Sequence, residues 1–178
     1  MRRIRAILPA IAVMVSLAAS GPAHADVSAS DVKAAFLPRF ARYVTWPPSA
    51  LPGGADPFVL CVVGDDPFGN ELDSAARTQS VDGRRIVVRR LGSADSAGSC
   101  QIAYVSGSRS QAIAQSLASL RGKPVLTVTD ARNGGQRGII HFSVVKGRVR
   151  FFIDDADAEH SGLKISSRLL ALAISVKQ

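Results

Sequence analysis

Little in this sequence is equipped for chemistry. Among 178 residues there are three histidines, two cysteines, two methionines and one tryptophan. There is no G-x-S-x-G elbow, no H-E-x-x-H, no P-loop and no G-x-G-x-x-G after a strand-like run. These absences exclude the recognisable signatures of α/β-hydrolases, zinc proteases, P-loop enzymes and dinucleotide-binding domains. Acids are the minority charge, 14 against 22 lysines and arginines. The excess raises nucleic acid as a partner, but the cations are scattered without interleaved aromatics, which reads as a soluble positive surface. No apolar run reaches the roughly 20 residues that a membrane helix needs.

What is present begins with a compartment signal. Arg2, Arg3 and Arg5 precede an apolar stretch from Ala6 to Ala19, and Ala23-His24-Ala25 supplies small residues at its end. The pattern predicts a cleavable secretory signal peptide over residues 1–25. No cysteine follows the small residues, which argues against a lipid anchor. The remainder, 26–178, has the size of one domain with one sizeable core. Of the formal charge of +8, three units belong to the leader arginines, so the expected mature domain is still basic.

Cys61 and Cys100 both lie in that mature part, and an even count in an oxidising compartment predicts a structural disulfide. Closing a loop of that size removes about 3 to 4 kcal/mol of unfolded-chain entropy in the simple model. A metal would need more ligands than two thiols, and only His141 and His160 remain to add to them. No metal or cofactor is expected.

Val32, Phe36, Phe40, Tyr43 and Val44 recur at helical spacing, predicting an amphipathic helix over 31–45 that Pro38 should kink. Phe36, Phe40 and Tyr43 should enter the core, with Trp46 closing the helix end. Strands are predicted over 58–63, 85–91, 102–105 and 124–129, and helices over 68–77 and 108–121. Two further strands, 139–145 and 148–154, flank Lys146-Gly147 as a β-hairpin. A two-residue turn pairs Phe142 with Phe151 and Ile140 with Ile153 on a core face. It pairs His141 with Phe152 and Ser143 with Arg150 on a mixed face. A final helix would carry Ile165, Leu169, Leu172 and Val176 on one side. The expected fold is a single α/β domain, with a mixed sheet of five to six strands, flanking helices and a C-terminal hairpin followed by a helix.

Two sites follow from this layout. Asp65, Asp66, Ser106 and Asp130 all end predicted strands, where open α/β sheets place ligand crevices; for the acid pair, a polar turn capping the next helix is the competing reading. His141, Arg148, Arg150 and Phe152 put an aromatic among cations on the half-polar hairpin face. Such residues are enriched at interface centres, although a covering helix would make Phe152 core. No reaction centre assembles. A small-ligand-binding module and a hydrolase of unknown type remain as alternatives.

The stretches "KAAFLPRFARYVTWP", "CVVGDDPFGNEL", "VDGRRIVVRRL", "CQIAYVSGS", "PVLTVTD" and "VRFFIDDADAEHSGLKISSRLLALA" together resemble the YfiR-like periplasmic proteins, in order and approximate spacing, over nearly the whole of 26–178. Pro38 departs from the helix former usual in relatives, Asp154 stands where asparagine is common, and a second cysteine pair found in some relatives is absent. The resemblance implies a periplasmic, non-catalytic repressor. Its partner would be the periplasmic sensor region of a membrane-anchored diguanylate cyclase, and an outer-membrane OmpA-like lipoprotein would sequester it. A homodimer is also compatible with the resemblance.

Overall fold

The computed structural model describes residues 28–54 and 56–178. The expected signal peptide lies outside the described residues. The chain enters through helix α1 (Ala29–Phe40), where Ser28 Oγ accepts from the Asp31 N–H and the Asp31 carboxylate accepts from the Ser28 N–H. This reciprocal capping box fixes the helix start. Pro38 lies within the last turn, so its missing donor and the helix end nearly coincide.

The sheet core contains five parallel strands: β2 (Phe58–Gly64), β4 (Arg84–Leu91), β5 (Ile102–Gly107), β6 (Leu126–Asp130) and β7 (Ile140–Val145). They lie in the order β4-β2-β5-β6-β7. Counted among themselves in chain order this is 2-1-3-4-5, the doubly wound arrangement whose switch point falls between the first and third strands. Strand β8 (Arg148–Asp154) returns antiparallel to β7, and β3 (Ser80–Val81) pairs antiparallel with β4 at the opposite edge. The hairpin register is the expected one, with Phe142 opposite Phe151 and His141 opposite Phe152.

Alternation along these strands divides the core in two. One face presents Phe58, Leu60, Val62, Tyr104, Val128, Phe142 and Phe151 to α1 and to α2 (Asn70–Arg77). Phe36 and Phe40 stack on each other and meet Phe142 and Phe151 tilted or edge to face, with Phe40 and Phe151 centroids 5.5 Å apart. The other face is built from smaller side chains: Cys61, Ala94, Ala97, Cys100 and Ala103, under α3 (Ile113–Leu120). Cys61 and Cys100 are disulfide-bonded there, with Cα atoms 6.0 Å apart and a sequence separation of 39. Gln101 locks the adjacent corner. Its side chain accepts from the Val59 N–H and donates to the Ala50 carbonyl, while its own carbonyl accepts from Trp46 Nε1.

Several boundaries differ from the sequence expectations. The sheet has eight strands and a separate pair adds two more, against five to six expected, because the extra strands are two-residue pieces without a periodic signal. The first helix stops at Phe40, since Val44–Thr45 (β1) pairs with Lys164–Ile165 (β9). The helix predicted over 108–121 begins only at Ile113; Ser108 instead organises a turn, its Oγ accepting from the Ser110 and Gln111 N–H groups. The predicted last helix is broken. After α4 (Asp155–His160) come Gly162 at φ +75, β9, a one-turn α5 (Ser167–Leu170) and β10 (Val176–Lys177), which pairs parallel with β8. Leu172, placed on its apolar side, is exposed.

Candidate functional site

The strand ends do not gather the four predicted crevice residues into one site. Asp66 is committed to structure: one oxygen accepts from the Phe68 and Gly69 N–H groups and the other from Arg90 Nε at 2.7 Å. Arg90 also reaches the Asp73 carboxylate at 2.6 Å. This ties α2 to β4, and the bond from Arg90 holds the Asp73 carboxyl below the usual carboxylate range. The acid pair thus opens a helix, as a polar turn would. Asp65 is exposed, and its N–H donates to the Gly107 carbonyl. The strands approach so closely at the switch point that a Cβ on Gly64 would fall inside the Gly107 carbonyl oxygen, and Gly64 holds φ +94.

Asp65 and Ser106 do line an open crevice of about 480 Å³ together with Arg109, Asn133 and Gln136. Ser106 Oγ is directed at the main-chain carbonyls of Val63 and Asp65. Its hydroxyl is therefore satisfied within the fold and not presented as a nucleophile.

Asp130 lies deeper. It is 1% exposed and binds Lys33 Nζ of α1, itself 0% exposed, at 2.6 Å. The second oxygen accepts from the Arg132 N–H, while Arg132 Nε approaches the Lys33-bound oxygen at 3.2 Å. Burial alone would push this carboxyl up, but the Lys33 and Arg132 bonds and charges prevail and hold it below its usual range. Tyr104 lies close by, fully buried, with its phenol pushed up mainly by burial. Lys33 escaped the sequence reading. Its position three, four and seven residues before Phe36, Leu37 and Phe40 places it on the buried side of α1, and a cation on that stripe implies a buried acid.

On the hairpin face the four predicted residues are adjacent but differently exposed. His141 is 3% exposed, with Nδ1 2.8 Å from Thr129 Oγ1, which also accepts from the Gly138 N–H. Burial and the charge of Arg137 keep the imidazole below its ordinary range, and therefore neutral at neutral pH. Phe152 is half-buried, its ring 6.4 Å from the imidazole and covered by the Arg137 guanidinium at 4.8 Å. That stacking is a cation–π contact. Arg148 and Arg150 are exposed. The small cleft beside His141 and Phe152, about 90 Å³, is well below the roughly 300 Å³ at which ligand pockets begin. This face can offer a surface, and it has no chamber.

Among the described residues, no group of three histidine, cysteine, aspartate or glutamate side chains could hold a metal ion, and no helix is long and apolar enough to cross a membrane. None of the curated proteins matches the chain by sequence. The YfiR/HmsC-like family model, by contrast, matches residues 30–174, from the first turn of α1 to the approach of β10, and the chain belongs to that family.

Proposed function

We propose that this protein is exported, loses residues 1–25 and acts in the periplasm. There it binds the sensor region of a membrane-anchored diguanylate cyclase and holds that enzyme inactive. Family membership over residues 30–174 is the observation that carries this reading. The disulfide supports an oxidising compartment. The commitment of Asp66, Ser106 and Asp130 to internal bonds supports a protein that works through its surface. On this reading the hairpin face around Arg148, Arg150 and Phe152 receives the cyclase, and an outer-membrane OmpA-like lipoprotein relieves the repression by competing for the protein. Deleting the gene should raise intracellular cyclic-di-GMP, and the exported protein should restore the low level. An unchanged level after deletion, in cells that make the cyclase, would contradict the proposal.

The open crevice at the switch point favours a second reading, a small-ligand-binding module. A cognate metabolite at 100 times its dissociation constant would add about 2.7 kcal/mol to stability. A thermal-shift screen of amino acids, nucleotides and sugars that finds no stabiliser would count against it.

A further inference from the structure

Strand β8 is only partly covered on its outer side. The Ile153 N–H donates to the Ser175 carbonyl and the Phe151 carbonyl accepts from the Ile174 N–H, so β10 and the residues just before it occupy the edge from Phe151 onward. The ladder alternates. Asp154 N–H bonds inward to the Ile139 carbonyl, so the odd-numbered residues of β8 face outward. Val149 then directs both backbone groups away from β7, and Phe151 directs its N–H the same way.

Side chains around this open stretch have a consistent chemistry. Val144 and Val145 are 45% and 42% exposed, and Leu172 and Ile174, beside the edge, are exposed as well. The segment from Ile139 to Ile153 contains Lys146, Arg148 and Arg150 and no acid. Arg148 and Arg150 stand on one side of the strand, and Val149 stands on the other. A second copy pairing antiparallel here would bring like cations together across the ladder, which is destabilising.

We propose that the outer edge of β8 at Arg148–Phe151 accepts an extended partner segment as an added strand, with acidic side chains against Arg148 and Arg150 and apolar ones against Val144 and Val149. Strand addition takes its affinity from main-chain bonds and its selectivity from alternate side chains. The inference rests on the regulatory reading for the partner's biological identity, and it specifies how that partner is held.

The test uses two seven-residue peptides, one alternating valine with glutamate and one alternating valine with lysine, titrated into purified isotope-labelled protein. The glutamate peptide should bind, shift the Val149 and Phe151 amides and slow their hydrogen exchange. The lysine peptide should not. Arg148→Glu with Arg150→Glu, both exposed and expected to melt normally, should weaken the glutamate peptide at least tenfold. Equal binding of both peptides, binding of neither, or shifts centred on the helices would overturn the inference. So would association with phosphatidylglycerol vesicles that is lost in Val144→Ser with Val145→Ser, which would assign the surface to lipid. If the peptides fail while Arg148→Glu with Arg150→Glu relieves cyclase repression, strand addition falls and the regulatory reading stands. If the glutamate peptide binds as expected while the double variant still represses the cyclase, the edge is as proposed and the placing of the cyclase on the hairpin face falls.

Discussion

Lys33 and Asp130 join α1 to the end of β6 with both charges withdrawn from water. A buried pair is costly to assemble and more costly to halve, because the survivor stays charged and unpartnered. Lys33→Met is therefore expected to lower the unfolding free energy by about 3 to 5 kcal/mol, and Lys33→Met with Asp130→Leu by clearly less. Urea denaturation of both variants checks this, and equal losses would contradict it. The carboxyl titrates below its unfolded value of about 3.9. Its contribution is then present above that pH and lost as pH falls through the lowered folded value, so wild type should weaken in that acid range more steeply than Asp130→Asn. Phe40, 1% exposed in the aromatic cluster, leaves a cavity when truncated. Phe40→Ala should cost about 3 to 5 kcal/mol by the same measurement; a variant that melts like wild type would place α1 outside the core.

The elements legible in the sequence were those whose period is set by burial on both sides or by a fixed turn. Phe58 to Val63 is a continuous apolar run because core covers both faces of β2. Lys146-Gly147 sets the hairpin register because a two-residue turn allows few alternatives, and Lys146 and Gly147 both take positive φ, at 50° and 74°. The chain after His160 reads as one helix because Ile165 and Leu169 happen to be four apart. Ile165 actually pairs with Val44 across chain-distant segments, a tertiary contact that overrides the helical period. Among site residues, Arg148, Arg150 and Phe152 fell where the register put them. The enclosure of His141 by the Gly138 loop could not be read, because loops such as 134–138 carry no periodicity. The disulfide acts at this same scale, fixing Cys100, two residues before β5, to β2. Reduction, or Cys61→Ala with Cys100→Ala, should leave the fold intact and lower its stability by about 3 to 4 kcal/mol, read as a shift in the urea midpoint with and without reductant. An unshifted midpoint would mean that the bond constrains nothing the fold does not already hold.

Taken whole, the molecule concentrates its ordering at the strand ends and leaves the hairpin side open. Asp66, Asp130 and Ser106, the groups that looked most chemical, are absorbed by Arg90, Lys33 and main-chain carbonyls. The exposed cations Arg148 and Arg150 are answered by no acid between Ile139 and Ile153, which suits a protein whose activity is an encounter. Charge reversal at such positions acts mainly on association and leaves a fold that does not depend on them. The most direct measurement is intracellular cyclic-di-GMP in cells producing the candidate cyclase with either wild type or Arg148→Glu with Arg150→Glu, at matched periplasmic levels and melting temperatures. The account predicts low cyclic-di-GMP with wild type and a level near that of the deletion with the double variant. Full repression by a correctly folded double variant would contradict it.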